Sequence, residues 1–196
     1  MQHDFSDVAQ FEAMFDAPDR SGWQHPVEVV RLLAITPGQT VVDLGTGTGY
    51  FLPFLSIAVG PHGHVIALDS EPAMIDHVGQ RIAREAITNV QARVVEASDP
   101  ALAPESVDLV LVVDTWHHLP DRQAYATRLR EALRPGGALF IVDFTTDATR
   151  GPPVADRISP ETVALELTSA GLEVEVLAED LPEQYVVRGV RPAFAP

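Results

Sequence analysis

Short runs of β-branched and aliphatic residues alternate along the chain with segments in which apolar residues recur every third or fourth position. The runs Val41-Val42-Asp43-Leu44, His64 to Asp69, Val90 to Glu96, Val107 to Val113 and Ala138 to Phe144 predict strands. The fourth and fifth are almost continuously apolar, as strands buried on both faces of a parallel sheet are. Between the strands, Met74, Val78 and Ile82, and then Tyr125, Leu129 and Leu133, recur at four-residue spacing, which gives each segment one apolar stripe and predicts a helix. Ser70 ahead of Pro72, Asp121, and Ser159-Pro160-Glu161 mark helix starts. Arg134-Pro135-Gly136-Gly137 and Gly171 mark stops.

Repeated strand-helix-strand units of this length predict an α/β fold: an open, doubly wound, mostly parallel sheet with right-handed crossovers, helices on both faces, and ligand at the carboxyl ends of the strands. Leu172 to Leu177 and Gln184 to Val190 are joined without a helix, so the sheet should finish with an antiparallel hairpin. Ahead of the first strand, the amphipathic segments Phe5 to Phe15 and Pro26 to Ile35 flank a loop carrying Trp23 and His25. Residues 1–36 are therefore expected to form an N-terminal helical lid or flank, and residues 37–196 the core of one domain, the usual number for this length.

Composition removes whole mechanisms. All 13 basic residues are arginine, and cysteine is absent. Without lysine there is no Schiff base and no Walker phosphate loop; without cysteine there is no thiol nucleophile, disulfide or thiolate zinc site. A net charge of −15 disfavours nucleic acid and anionic membrane surfaces as partners. The first residues, Met1-Gln2-His3-Asp4, have no basic flank or apolar segment, and no run approaches the ~20 apolar residues of a membrane span. A cytoplasmic protein, monomer or homodimer, with a small-molecule ligand is the expectation.

The strand-to-helix turn Asp43-Leu44-Gly45-Thr46-Gly47-Thr48-Gly49-Tyr50 carries the clearest chemistry. Dinucleotide folds use G-x-G-x-x-G with a helix N-terminus facing pyrophosphate. Here the glycines run G-x-G-x-G, and Asp43 precedes them by two residues, which opposes pyrophosphate and suits a cationic group. Asp69 ends the second strand 20 residues after Gly49, where a carboxylate can accept hydrogen bonds from two ribose hydroxyls. Together these features suggest an adenosyl ligand with a positive, phosphate-free end.

At this point the sequence resembles the class I S-adenosylmethionine-dependent methyltransferases over roughly Pro37 to Val190. Val41 to Phe51 matches the family's glycine motif, Ile66-Ala67-Leu68-Asp69 its acidic second-strand end, Asp108 to Asp114 its fourth strand, and Leu133 to Leu139 the approach to its fifth. The resemblance implies a Rossmann-like, seven-stranded sheet with an antiparallel last strand and S-adenosyl-L-methionine as cofactor. It implies further that Gly45, Thr46, Gly47 and Gly49 lie against the methionine part, with Asp43 organising the loop. Asp69, with Ser70 beside it, would hold the ribose, and Met74 would border the adenine unless it is simply core. Glu96, or Ser98 and Asp99, would meet the adenine amino group, and Asp114 the methionine moiety and substrate.

Methyl transfer needs the acceptor in line with the methyl group, within roughly 3–3.5 Å, in a site that excludes water. A base is required only for an acceptor that arrives protonated. In Asp114-Thr115-Trp116-His117-His118, His117 or His118 could take a proton, or one of them could cap the following loop. Trp23, His25, Tyr50 and Trp116 are the candidate substrate contacts. No metal site is expected: neighbouring histidines seldom converge on one ion, Asp114 with Asp143 as a magnesium pair is a minority reading, and His62, His64 and His77 have no motif around them. Absent cysteine argues against the thiol chemistry of cytosine C5 and arsenite methyltransferases, and the acidic charge favours a small neutral or cationic acceptor over DNA or RNA. An NAD-type oxidoreductase and a non-catalytic adenosyl-binding protein are the alternatives.

Overall fold

The computed structural model describes residues 8–179 and 181–193. Seven strands form a mixed sheet in the order β3 (Val90–Val94), β2 (His64–Asp69), β1 (Thr40–Leu44), β4 (Val107–Val113), β5 (Leu133–Phe144), β7 (Gln184–Val190), β6 (Glu173–Leu177), surrounded by seven helices among the described residues. The chain divides into two compact units, Met1–Glu96 and Ala97–Pro196.

The first unit carries three short helices, α1 (Val8–Phe15), α2 (Arg20–Gln24) and α3 (Pro26–Leu32), ahead of β1 (Thr40–Leu44). The predicted segment Phe5 to Phe15 begins at residues 5–7, outside the described residues. Trp23, expected in a loop, lies instead on α2, because the chain makes one further helical turn before His25 takes a left-handed conformation (φ 46°). After β1 come α4 (Leu52–Val59), β2 (His64–Asp69), α5 (Pro72–Arg84) and β3 (Val90–Val94). β1 pairs in parallel with β2, and β2 with β3. Met74 and Val78 on α5 are buried, as the four-residue stripe requires. Ser70 does not cap that helix: the N-cap position is Glu71, without a side-chain cap, and the Glu71 amide donates to Asp69 Oδ1 at 3.0 Å.

The second unit contains β4 (Val107–Val113), a 3₁₀ turn at Trp116–His118, α6 (Arg122–Ala132), β5 (Leu133–Phe144), α7 (Pro160–Ser169), β6 (Glu173–Leu177) and β7 (Gln184–Val190). Asp121 accepts from the Ala124 amide and Ser159 from the Thr162 amide, so both predicted caps form. The segment Arg134-Pro135-Gly136-Gly137 is not a free loop: α6 stops at Ala132, and Leu133 already pairs with Val107 in β5. Gly137 is required there, since a Cβ would stand 2.7 Å from the Asp108 carbonyl oxygen. β7 runs antiparallel to both β5 and β6 and lies between them. Leu109 to Val113 and Ala138 to Phe144 are buried throughout, whereas the end strand β6 is half exposed. No helix among the described residues is long and apolar enough to cross a membrane.

Candidate active site

In the first unit, the glycine turn is held by the strand beside it. Gly45 and Thr46 amides donate to the Leu68 carbonyl at 2.8 and 3.0 Å, and the Gly47 amide donates to Asp69 Oδ2 at 2.9 Å. Asp69 therefore bridges the turn and the start of α5, one carboxylate oxygen on each. Burial raises its pKa, opposed by the amides of Glu71, Gly47 and Ser70. The carboxylate keeps lone-pair capacity for hydroxyl donors.

Asp43 is 3% exposed and accepts the Thr46 hydroxyl at 2.7 Å on Oδ2. Burial pushes its pKa up to about 6, against the Thr46 hydrogen bond and the charge of Arg20. Gly49 sits at φ +80°, and a Cβ there would lie 2.8 Å from Leu52 Cδ1 and 3.3 Å from Val78 Cγ2. Gly49→Ala should therefore lose roughly 1–3 kcal/mol of stability through backbone strain and overpacking, measured by urea unfolding; an unchanged midpoint would mean that the turn relaxes freely.

The flank contributes what the spacing of the chain did not reveal. The Arg20 guanidinium stacks 4.0 Å from the Tyr50 ring centre and 5.9 Å from Trp23, and also donates to the Phe15 carbonyl and Gln24. Tyr50 and Trp23 are half-buried, and His25 Nε2 lies 3.1 Å from the Gly22 carbonyl. Phe15 comes within 3.5 Å of where a Cβ on Gly47 would stand. Met74 is 1% exposed, which places it in the core.

In the second unit, the end of β4 is tied down by charge. Asp114, at φ +52°, accepts from Gln184 Nε2 at 2.5 Å. His117 Nδ1 lies 2.9 Å from both oxygens of Asp143, with side chains 3% and 2% exposed, and the Phe144 amide donates to Asp143 Oδ1 at 2.8 Å. His118 is exposed, its ring 4.1 Å from that of His117. Asp114 and Asp143 are thus each bonded to a different side chain, Gln184 and His117. Trp116 is corrected: it is fully buried, and its indole N–H donates to Glu166 Oε2 at 2.8 Å while Arg122 holds the other side of that carboxylate. A substrate cannot touch it without displacing the core. Ser98, Asp99 and Glu96 are exposed; Asp99 Oδ1 accepts the Ala101 amide at 2.8 Å, and the Ser98 carbonyl accepts from Arg128. Arg20, Asp143, Glu166 and Gln184 had no local signal, because each acts on a partner distant in sequence or through a ring face.

The family described as "Methyltransferase domain" matches residues 41–137, the stretch from β1 through the start of β5. A crystal structure of an S-adenosylmethionine-dependent methyltransferase from Aquifex aeolicus superposes with a TM-score of 0.88 at 28% identity, covering 97% of this chain and 100% of that one. The chain belongs to the class I S-adenosylmethionine-dependent methyltransferase family. S-adenosyl-L-methionine is the cofactor of that family. Among other methyltransferases, the arsenite methyltransferase of Halobacterium salinarum is 32% identical over 165 residues, 78% of this chain and 42% of its own length. The nocamycin O-methyltransferase of Saccharothrix syringae is 29% identical over 137 residues, 65% of this chain and 49% of its own length. The chain thus spans about half the length of these two curated relatives.

Proposed function

We propose that this chain transfers a methyl group from S-adenosylmethionine to a small neutral or cationic acceptor. The observation that carries the cofactor reading is the Asp69 carboxylate, bonded to the Gly47 amide on one side and the Glu71 amide on the other. That bridge couples the turn expected to face the methionine part to the acid expected to accept the ribose hydroxyls. The acidic donor set of the turn, Asp43 and Asp69 without lysine, suits a sulfonium better than a pyrophosphate and disfavours the NAD alternative.

Bound there, the cofactor supplies an electrophilic methyl group. In this reading Gly45, Thr46, Gly47 and Gly49 line its methionine part, Asp69 and Ser70 the ribose, and Glu96, or Ser98 and Asp99, the adenine. Asp43 keeps the turn in shape through Thr46, and Asp114 faces the methionine moiety and acceptor. Trp23, His25 and Tyr50 shape the acceptor side. The main contribution is orientation. Where the acceptor carries a proton, Asp143 holds the His117 ring by Nδ1 and leaves Nε2 as the atom that exchanges it, while the exposed His118 is the alternative. The net charge of −15 supports an acceptor that is not a polyanion. The acceptors named for the two curated relatives differ, and the cysteine-free sequence has no thiol with which to handle arsenite.

Calorimetry with S-adenosylmethionine, its demethylated product and NAD tests the cofactor reading, with binding of the first two and not the third expected. A panel of small acceptors with methyl-labelled cofactor then tests transfer; binding without turnover across the panel favours a non-catalytic adenosyl-binding protein. With an acceptor in hand, His117→Ala and His118→Ala should separate roles: loss of a base lowers turnover and flattens a pH dependence near neutrality, whereas loss of a structural pin lowers the melting temperature instead. Gel shifts at low salt should show no retention of DNA or RNA; salt-dependent retention with methyl incorporation would sink the small-acceptor reading.

A further inference from the structure

One group of side chains between α1 and α5 serves neither the fold described above nor the cofactor reading. We propose that Glu12, Asp16 and His77 form a binding site for a divalent first-row transition metal, with one carboxylate oxygen from each acid and one imidazole nitrogen as ligands.

The three donor atoms lie within 4.8 Å of one another. Glu12 is on α1, and the Asp16 amide donates to the Glu12 carbonyl at 2.9 Å, so the helical turn continues through Asp16 and places both acids on one face. His77 presents its ring from α5. Its Nε2 is buried and has no hydrogen-bond partner among the described residues. An orphaned polar atom of this kind is destabilising, and coordination would give it a partner. Metal–ligand bonds of about 2.0–2.2 Å bring neighbouring donors to roughly 3–3.5 Å, so a side-chain adjustment of about 1 Å closes the site. Glu12 is exposed and has room to make it.

The surroundings select the class of ion. Arg81 Nη1 lies 3.1 and 3.2 Å from the two Asp16 oxygens, fixing that carboxylate while offsetting one of the two negative charges. Magnesium and calcium sites depend on several anionic or carbonyl oxygens, and this set is too weakly charged for them. One imidazole and two carboxylates, with water completing the shell, suit zinc, cobalt or nickel, whose affinity for nitrogen does not rest on charge alone. The ion would fasten α1 to α5. The sequence offered no sign of this, since His77 stands 61 residues from Asp16 and has no ligand-spaced neighbour.

The test uses the untagged chain stripped of metal and titrated with Co²⁺, read by visible absorption and calorimetry, with Zn²⁺ followed by melting temperature and Mg²⁺ as comparator. One Co²⁺ per chain should bind, Zn²⁺ should raise the melting temperature, and Mg²⁺ should do neither. His77→Ala should weaken Co²⁺ binding at least tenfold, and so should Glu12→Gln, whose exposed side chain makes a folding defect an unsuitable explanation. His64→Ala, exposed and outside the proposed ligand set, should bind as the parent does. No Co²⁺ or Zn²⁺ binding, or binding unaltered by His77→Ala and Glu12→Gln, overturns the proposal whatever the cofactor experiments show.

Discussion

Asp69→Ala is expected to weaken S-adenosylmethionine binding by tenfold or more and to lower the melting temperature by several degrees at the same time. A carboxylate accepting two ribose hydroxyls contributes ~1.5–3 kcal/mol per bond, and ~1.4 kcal/mol is already a factor of ten. The stability loss has a separate origin, because the same two oxygens accept the amides of Gly47 and Glu71. Alanine leaves both donors without that acceptor, at about 1–3 kcal/mol for each one that water cannot reach, and a domain of this size loses roughly 2–4 °C per kcal/mol. Asp69→Asn keeps one acceptor but turns an NH₂ group toward the other amide, so it should also perturb the turn. Calorimetry and thermal melting on both variants check this. A lowered melting temperature with unchanged affinity would reduce Asp69 to a pin between the turn and α5.

The second large effect concerns Asp43 and has the opposite sign in stability. Burial raises its pKa from 3.8 to about 6, so the folded state holds this proton more tightly than the unfolded one. The stability it contributes is complete below pH 3.8 and is lost as pH rises through about 6. A shift of about two units corresponds to about 3 kcal/mol of lost stability at neutral pH. Asp43→Asn, whose amide oxygen can still accept the Thr46 hydroxyl, should therefore be more stable than the parent at pH 7–8 and indistinguishable near pH 4. The same change removes a negative charge from the turn, so affinity for the sulfonium cofactor should fall, and its rise with pH between 5 and 7 should disappear. Denaturant unfolding across pH, beside calorimetry, reads both. A variant no more stable at pH 8 would mean that Asp43 keeps an ordinary acidity.

Much of the fold was legible because local rules and tertiary packing agree. β2, β4 and β7 have the predicted bounds, Asp121 and Ser159 cap as their side chains allow, and the helix-free link before β7 produces the antiparallel ending. Misplacements occurred where a distant partner decided. Leu133 continues the apolar stripe of α6, yet its pairing with Val107 draws it into β5. Ser70 has cap chemistry, but Asp69 reaches the Glu71 amide first. Trp116 follows a strand end, where ligand contacts are common, and is drawn inward by Glu166, 50 residues on. Asp143 looks like one acid ending a buried strand; only the fold brings it to His117.

The position of β7 also governs the order in which the second unit can be completed. Of the seven described strands it comes last in chain order, yet it separates β5 from β6, and these two do not pair with each other. As the chain leaves the ribosome, β5 emerges with its hydrogen-bonding edge open and its side chains apolar. β6 follows with nothing to join, and neither edge closes until Gln184 to Val190 has emerged. An open apolar edge recruits other strands, so a stop codon ahead of Gln184 should yield an aggregating product rather than a shorter, soluble protein.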